Sequence, residues 1–199
     1  MAREAKAAKA EEFGARKRKL PVRVIFTLLF VVVGLSLILF ALSPFLCEAI
    51  KVESGAMSPS ISITDTVGVN HLAYLLLPPS RGDIILFHTA QGDNASASDA
   101  SSSIRRIVGL PGETVQIMDG TVYINGYPLD ERYRSGEMNY GGTAASALTL
   151  NSDEYFVMAD NRSNNSDSRD STVGPVSGSE IDGKVWIRLK PYERFGLIG

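Results

Sequence analysis

The sequence is poor in the residues from which disulfides and metal centres are built. One cysteine, Cys47, and two histidines, His71 and His88, occur among 199 residues. A single cysteine excludes an internal disulfide. Two isolated histidines and one thiol provide no metal-ligand spacing, so neither a metal nor a cofactor is expected. No internal repeat is visible, and no amphipathic helix of a dozen or more residues can be drawn after residue 44. The fold must therefore stand on a β-type core, which about 150 residues can supply.

Charge is missing from one stretch. Val24 to Ser43, VIFTLLFVVVGLSLILFALS, is twenty residues without an ionisable side chain. As a helix it covers roughly 30 Å, the thickness of a hydrocarbon core. A cleaved leader has a shorter apolar core, about 7–15 residues, and a small-residue cleavage site; here Pro44-Phe45-Leu46 follows. The stretch is read as an uncleaved transmembrane anchor. Eight Lys/Arg and three Glu precede Val24, whereas twelve basic and nineteen acidic residues follow Pro44. The basic flank RKRKLPVR stays in the cytoplasm by the positive-inside rule. The expectation is a cytoplasmic tail over 1–23, an anchor over 24–43, and an extracytoplasmic domain over 45–199. An acidic body argues against nucleic acid as a partner; the bilayer is the expected one. Cys47, beside the membrane face, is read as a packing or interfacial residue, with palmitoylation as the alternative.

The body reads as short strands: Thr66–Asn70, Asp83–His88, Ile104–Val108, Thr114–Met118, Thr121–Ile124, Tyr127–Leu129, Tyr155–Met158 and Lys184–Leu189. Gly109-Leu110-Pro111-Gly112 is a turn signal, and Asn125-Gly126 is a strong short-range hairpin signal. Ala90–Ser103 and Ser135–Ser152, rich in Ser, Ala, Gly and Asn, read as surface loops. The class is mainly β: an antiparallel sheet domain preceded by one N-terminal transmembrane helix.

Four pieces then stand in order: the anchor, VESGAMSPSI (52–61), RGDIILF (81–87) with IRRIVGLPGETV (104–115), and ADNRSNNSDSR (159–169). This ordered set closely resembles the bacterial type I signal peptidases, or leader peptidases, over about residues 16–199. The resemblance implies a β-rich catalytic domain at the outer membrane face. Such a domain cleaves signal peptides after small residues, in an Ala-x-Ala pattern, with a Ser/Lys dyad. Serine needs a base to take its proton, a buried lysine can be that base, and the oxyanion needs donors. The family pattern Ser-Met-x-Pro-Thr-Leu reads here Ala56-Met57-Ser58-Pro59-Ser60-Ile61, so Ala56 falls on the nucleophile. The family's Lys-Arg-(Ile/Val)-(Ile/Val)-Gly-Leu-Pro-Gly begins here with Arg105-Arg106, so Arg105 falls on the general base. In the third motif Asn165 falls on a serine that helps hold the lysine. Ser54 matches a hydroxyl that some relatives use in the oxyanion hole, and Asp167 and Arg169 match a structural ion pair. Asp160 and Asn161 are read as shaping their loop. A buried Arg105 would need a carboxylate or carbonyl partner, with Asp167 the candidate. Met57 and the apolar residues near Leu75–Leu77 fit either the membrane interface or the core.

Alanine has no oxygen to attack with, and arginine is no base near neutral pH. Several readings follow. The first is a catalytically silent relative that binds, chaperones or assembles secreted or surface proteins and their signal peptides. The second is an engineered inactive trap. The third is an active serine endopeptidase by another route. That third reading lacks a base, since neither histidine has an identifiable acid partner. If 52–60 is extended, Ser54 and Ser58 also lie about 7 Å along the strand from Ala56. A membrane-anchored adhesin or sensor module is the alternative of another class, which a groove lined by small apolar residues beside Ala56 would exclude. The oligomeric state is left open.

Overall fold

The computed structural model describes residues 21–75, 77–89 and 101–198. The tail over 1–20, Leu76 and residues 90–100 of the Ser/Ala-rich segment lie outside the described residues. The chain divides into two units, Met1–Ser43 and Pro44–Gly199.

One helix, α1 (Val22–Leu46), is 25 residues long. It starts two residues before the uncharged stretch and ends three after it. Pro21 precedes its first residue, where a missing N–H and a fixed φ suit a helix start. Its described side chains are mostly apolar and exposed, with Phe30 80% and Leu37 64% accessible; Arg23, Thr27 and Ser36 are the polar ones. No helix is long and apolar enough to cross a membrane among the described residues.

The second unit is antiparallel β throughout its named strands. In chain order these are β1 (Glu48–Lys51), β2 (Thr66–Asn70), β3 (Ile84–Thr89), β4 (Ser101–Gly109), β5 (Thr114–Met118), β6 (Thr121–Ile124), β7 (Tyr127–Pro128), β8 (Leu148–Thr149), β9 (Glu154–Met158), β10 (Val176–Ser177), β11 (Ile181–Lys190) and β12 (Gly196–Leu197). The larger sheet runs β1-β2-β11-β3-β4-β9-β10, with β12 on β11; the smaller runs β7-β6-β5-β8. Mainly β antiparallel architecture is thus as the sequence predicts. Asn125 and Gly126 close the β6–β7 hairpin with φ of 51° and 83°, the left-handed pair that such a turn requires.

The central strands are covered on both faces. β3 sends Ile84 and Leu86 into one buried cluster with Met57, Ile61, Val67, Val69 and Val185. It sends Ile85 and Phe87 into a second with Ile107, Tyr155 and Val157. Alternate side chains leave opposite faces of a strand, so DIILFH reads as an apolar run because neither face meets water. Phe156 and Met158 of β9 and Val108 of β4 join a third cluster beneath the smaller sheet, with Val115, Ile117 and Val122.

Two expectations are corrected here, and one conditional reading is resolved. Ser101–Ser103 are not loop but the first residues of β4, paired with Thr89, His88 and Phe87; an inner strand supplies hydrogen bonds whatever the side chains. Segment 135–152 is not wholly a surface loop: it holds β8 and a short 3-10 turn, Gly142–Ala144, and buries Met138, Ala144 and Leu150. Residues 52–60 are not extended, because Gly55–Met57 form a 3-10 turn. Met57 is 2% exposed, in the core, while Leu75 and Leu77 are exposed. Cys47 sits close to Gly68, where an added Cβ would meet its Sγ at 2.7 Å.

Candidate functional site

The first motif forms a tight turn between β1 and β2. Ser54 is extended and caps it: its Oγ accepts the Ala56 N–H at 3.2 Å. Ala56 is 1% exposed. Its carbonyl accepts the main-chain N–H of Asn161 at 2.9 Å, which ties the first motif to the third. Ser135 fastens the same region, donating from Oγ to the Ser58 carbonyl at 2.7 Å and from N to the Asp160 carbonyl at 2.8 Å.

The second motif joins both others through Arg106. Its guanidinium grips Asp160 in a two-point pair, Nε to Oδ1 at 2.9 Å and Nη2 to Oδ2 at 2.8 Å. It also donates to the Gly82 carbonyl at 2.8 Å and to Ser60 Oγ at 3.3 Å. Its carbon lies 4.1 Å from the centre of the Tyr133 ring. Asp160 therefore shapes its loop as an ion-pair partner, and Arg106 is a tie between motifs rather than an ordinary strand residue.

Arg105, the preceding residue on β4, faces elsewhere. It is 5% exposed and donates from Nε (2.8 Å) and Nη2 (2.6 Å) to the Ser166 carbonyl, and from Nη1 to the Ile104 carbonyl at 2.7 Å. Its partner is a carbonyl, not Asp167. Burial lowers the pKa of the Arg105 guanidinium, the Asp167 charge opposes this, and neighbouring Arg169 reinforces it. Asp167 is committed to Arg169, with Nε to Oδ1 at 2.9 Å and Nη2 to Oδ2 at 2.7 Å, both residues fully buried. The Ala159 N–H adds a bond to Asp167 Oδ2 at 2.9 Å. Asn165 is exposed; its carbonyl accepts from Asp167 N at 2.8 Å, and its side chain makes no hydrogen bond among the described residues.

A cleft of about 510 Å³ opens beside these motifs. One wall is the end of β1 and the chain after it, Ile50–Ser54; the other is Ser102–Arg105 of β4. Buried Ala56, Met57, Ile61 and Leu86 lie at its base. Among the described residues both walls carry an unpaired strand edge: β1 pairs only with β2, and β4 pairs with β9 only from Arg106 onward. An extended peptide can hydrogen-bond to such an edge while small pockets read alternate side chains. Ser54, Ala56 and Arg105 thus meet at one cleft. Asn165 does not line it, and the Asp167–Arg169 pair lies behind Arg105 as support.

Both histidines do have acid partners, contrary to expectation. His71 Nε2 lies 2.6 Å from Glu48 Oε2, and His88 Nδ1 pairs with Asp182. These partners come from β1 and β11, distant in sequence, so spacing could not reveal them. Neither histidine lines the cleft. Sequence reading also missed Glu131, whose buried carboxylate holds Arg162, with Nη1 to Oε2 at 3.0 Å. It missed Ser135 for the same reason, since both fall in a segment without strand or motif signal. No cluster of His, Cys, Asp or Glu able to hold a metal occurs among the described residues.

Comparison with known proteins agrees with the motif order. The family described as signal peptidase, peptidase S26, matches residues 23–190. A signal peptidase I of Leptolyngbya laminosa is 36% identical over 171 residues, covering 84% of this chain and 81% of that protein. A probable signal peptidase I-2 of Synechocystis sp. is 33% identical over 154 residues, covering 77% and 68%. A crystal structure of a signal peptidase I from Enterococcus faecalis V583 is 34% identical, with a TM-score of 0.41, and covers 54% of this chain and 96% of that one.

Proposed function

The chain belongs to the signal peptidase family, peptidase S26, and from that premise we propose that it is a catalytically silent member that binds peptides. The observation that carries this reading is the pair Ala56 and Arg105. Both line the cleft, at the positions that the family resemblance gives to nucleophile and base. One has no hydroxyl, and the other is a guanidinium whose three nitrogens all donate to carbonyls. The scaffold around them holds together: the turn is capped, the three motifs are bonded together, and small and apolar groups line most of the cleft beside Lys51, Glu53 and Arg105. Its occupants are signal peptides, or the secreted and surface proteins that carry them, bound for assembly or chaperoning. A cleft of this lining disfavours an adhesin or sensor module.

Cleavage by another route lacks a base. The histidine–carboxylate pairs lie outside the cleft, and Ser54 Oγ already accepts from Ala56 N. An engineered trap would need only the change at Ala56, and Arg105 and Asn165 depart from the family pattern as well. For location we propose a single-pass membrane protein with its N-terminus in the cytoplasm and residues 45–199 outside. The basic flank and the 25-residue helix backbone, uncharged after Arg23, support it.

The test is cleavage of a preprotein with an Ala-x-Ala site by the full chain in detergent micelles, beside a variant with Ala56→Ser, Arg105→Lys and Asn165→Ser. A silent native chain and an active triple variant support the proposal. Cutting by the native chain well above a no-protein control overturns it. Silence of both separates the fold from peptide recognition and leaves an assembly role without a groove.

A further inference from the structure

The buried charges around the cleft do not balance. Four arginines are buried: Arg105, Arg106, Arg162 and Arg169. Three of them hold a buried carboxylate of their own, Arg106 with Asp160, Arg162 with Glu131 and Arg169 with Asp167. Buried Asp65 is taken by Arg188 and Arg194. Arg105 alone among these four has no ion pair among the described residues. A buried cation held only by neutral carbonyls is costly to desolvate. A guanidinium carries five N–H donors, and three are used, on Ser166 and Ile104. Two donors and the charge are left without a carboxylate, on a residue that lines the cleft. Lys51 adds a second cation to that lining and Glu53 one anion.

We propose that the cleft binds the free C-terminal carboxylate of an extended peptide ending in small residues, with Arg105 as its counter-ion. The inference rests on reading the cleft as a peptide groove. The strand edges of β1 and β4 suit an extended main chain, and the base at Ala56 admits small side chains. An internal peptide bond would bring a neutral carbonyl and leave the cation uncompensated. A chain terminus brings a planar carboxylate that matches the fork geometry of arginine. The Ser54 hydroxyl, which lines the same cleft and accepts the Ala56 N–H at 3.2 Å, keeps its own O–H as a further donor there. The ligand class is therefore a cleaved, acid-terminated peptide in preference to an uncut preprotein.

The experiment is fluorescence anisotropy with the full chain in detergent micelles. Three labelled peptides share an apolar segment ending Ala-Leu-Ala: one a free acid, one a C-terminal amide, one extended by two further residues. The free acid is expected to bind at least about tenfold tighter than the other two at neutral pH, the scale of a charge-assisted hydrogen bond. In Arg105→Gln the acid-to-amide ratio is expected to fall toward one, with a thermal melt confirming the fold. Equal binding of acid and amide by the native chain overturns the inference and leaves the groove reading standing. Binding of none of the three overturns the groove reading, and this inference with it. An acid preference unchanged in folded Arg105→Gln assigns the carboxylate to another cation and overturns the inference too.

Discussion

Arg105 reaches across the cleft wall to the main-chain carbonyl of Ser166, which accepts Nε at 2.8 Å and Nη2 at 2.6 Å. Arg105 thereby clamps β4 to the third motif.

On the proposed reading, Ala56→Ser alone should bring no cleavage. In Ala56→Ser the hydroxyl has no base, and Arg105 stays protonated near neutral pH. The expected result in a preprotein cleavage assay is a rate indistinguishable from the native chain. Adding Arg105→Lys is expected to raise it by several orders of magnitude, because groups that act as a unit are strongly non-additive. Activity in Ala56→Ser alone would mean that another base serves the cleft.

The Arg106–Asp160 pair predicts a stability effect separate from chemistry. Asp160 is fully buried and Arg106 is 2% exposed. Arg106→Met would strand a buried carboxylate, at about 3–5 kcal/mol. At about 2–4 °C per kcal/mol for a domain of this size, melting followed by near-UV circular dichroism should fall by roughly 10 °C. The double variant Arg106→Met/Asp160→Leu should lose less than Arg106→Met, because no unpaired charge remains. Equal losses would mean that the motif tie depends on the hydrogen bonds to Gly82 and Ser60 instead.

Much of this was legible in the sequence, and the exceptions have a common cause. Strands β2, β5 and β6 have the expected bounds because their apolar period and turn residues are local signals. β1, β10 and β12 left no such signal: they are short, and neighbours recruit them from afar, as β2 does β1. Ser101–Ser103 carry no β-forming side chain yet belong to β4, since β3 supplies the partner. At the site, motif order placed Ala56, Arg105 and Ser54 at one cleft. It could not show that Arg105 takes the Ser166 carbonyl, because Arg169 has already claimed Asp167 and only three-dimensional packing decides that competition. The histidine pairs and the Glu131–Arg162 pair join residues 23 to 94 positions apart, beyond any reading by spacing.

Alkaline pH should weaken the fold. Burial chiefly, and then the charge of Asp83, raises Tyr74 above its ordinary value of 10.0; burial and then Glu131 do the same for Tyr133. The folded chain thus holds two protons that the unfolded chain releases near pH 10. Their contribution is complete below about pH 10 and is lost as pH rises through the folded values. Urea midpoints should be flat on this account at neutral pH and fall above about pH 10. Tyr74→Phe should make the decline shallower. Phenolate absorbance from Tyr74 or Tyr133 appearing near pH 10 while the chain remains folded would contradict the assignment.

Ser54 joins structure to chemistry through one oxygen. In the native chain its Oγ caps the turn at Ala56 N, so Ser54→Ala should lower stability by about 1 kcal/mol, the usual scale of a lost cap. In the Ala56→Ser, Arg105→Lys, Asn165→Ser background the proposed function has the same hydroxyl donate to a tetrahedral oxyanion. There Ser54→Ala should lower kcat by roughly 10²–10³ and leave KM nearly unchanged, since the interaction is made in the transition state. Steady-state kinetics on a short Ala-x-Ala peptide separates the two effects. A rise in KM with unaltered kcat would make Ser54 a ground-state contact to the peptide, and the oxyanion would then rest on the main chain alone.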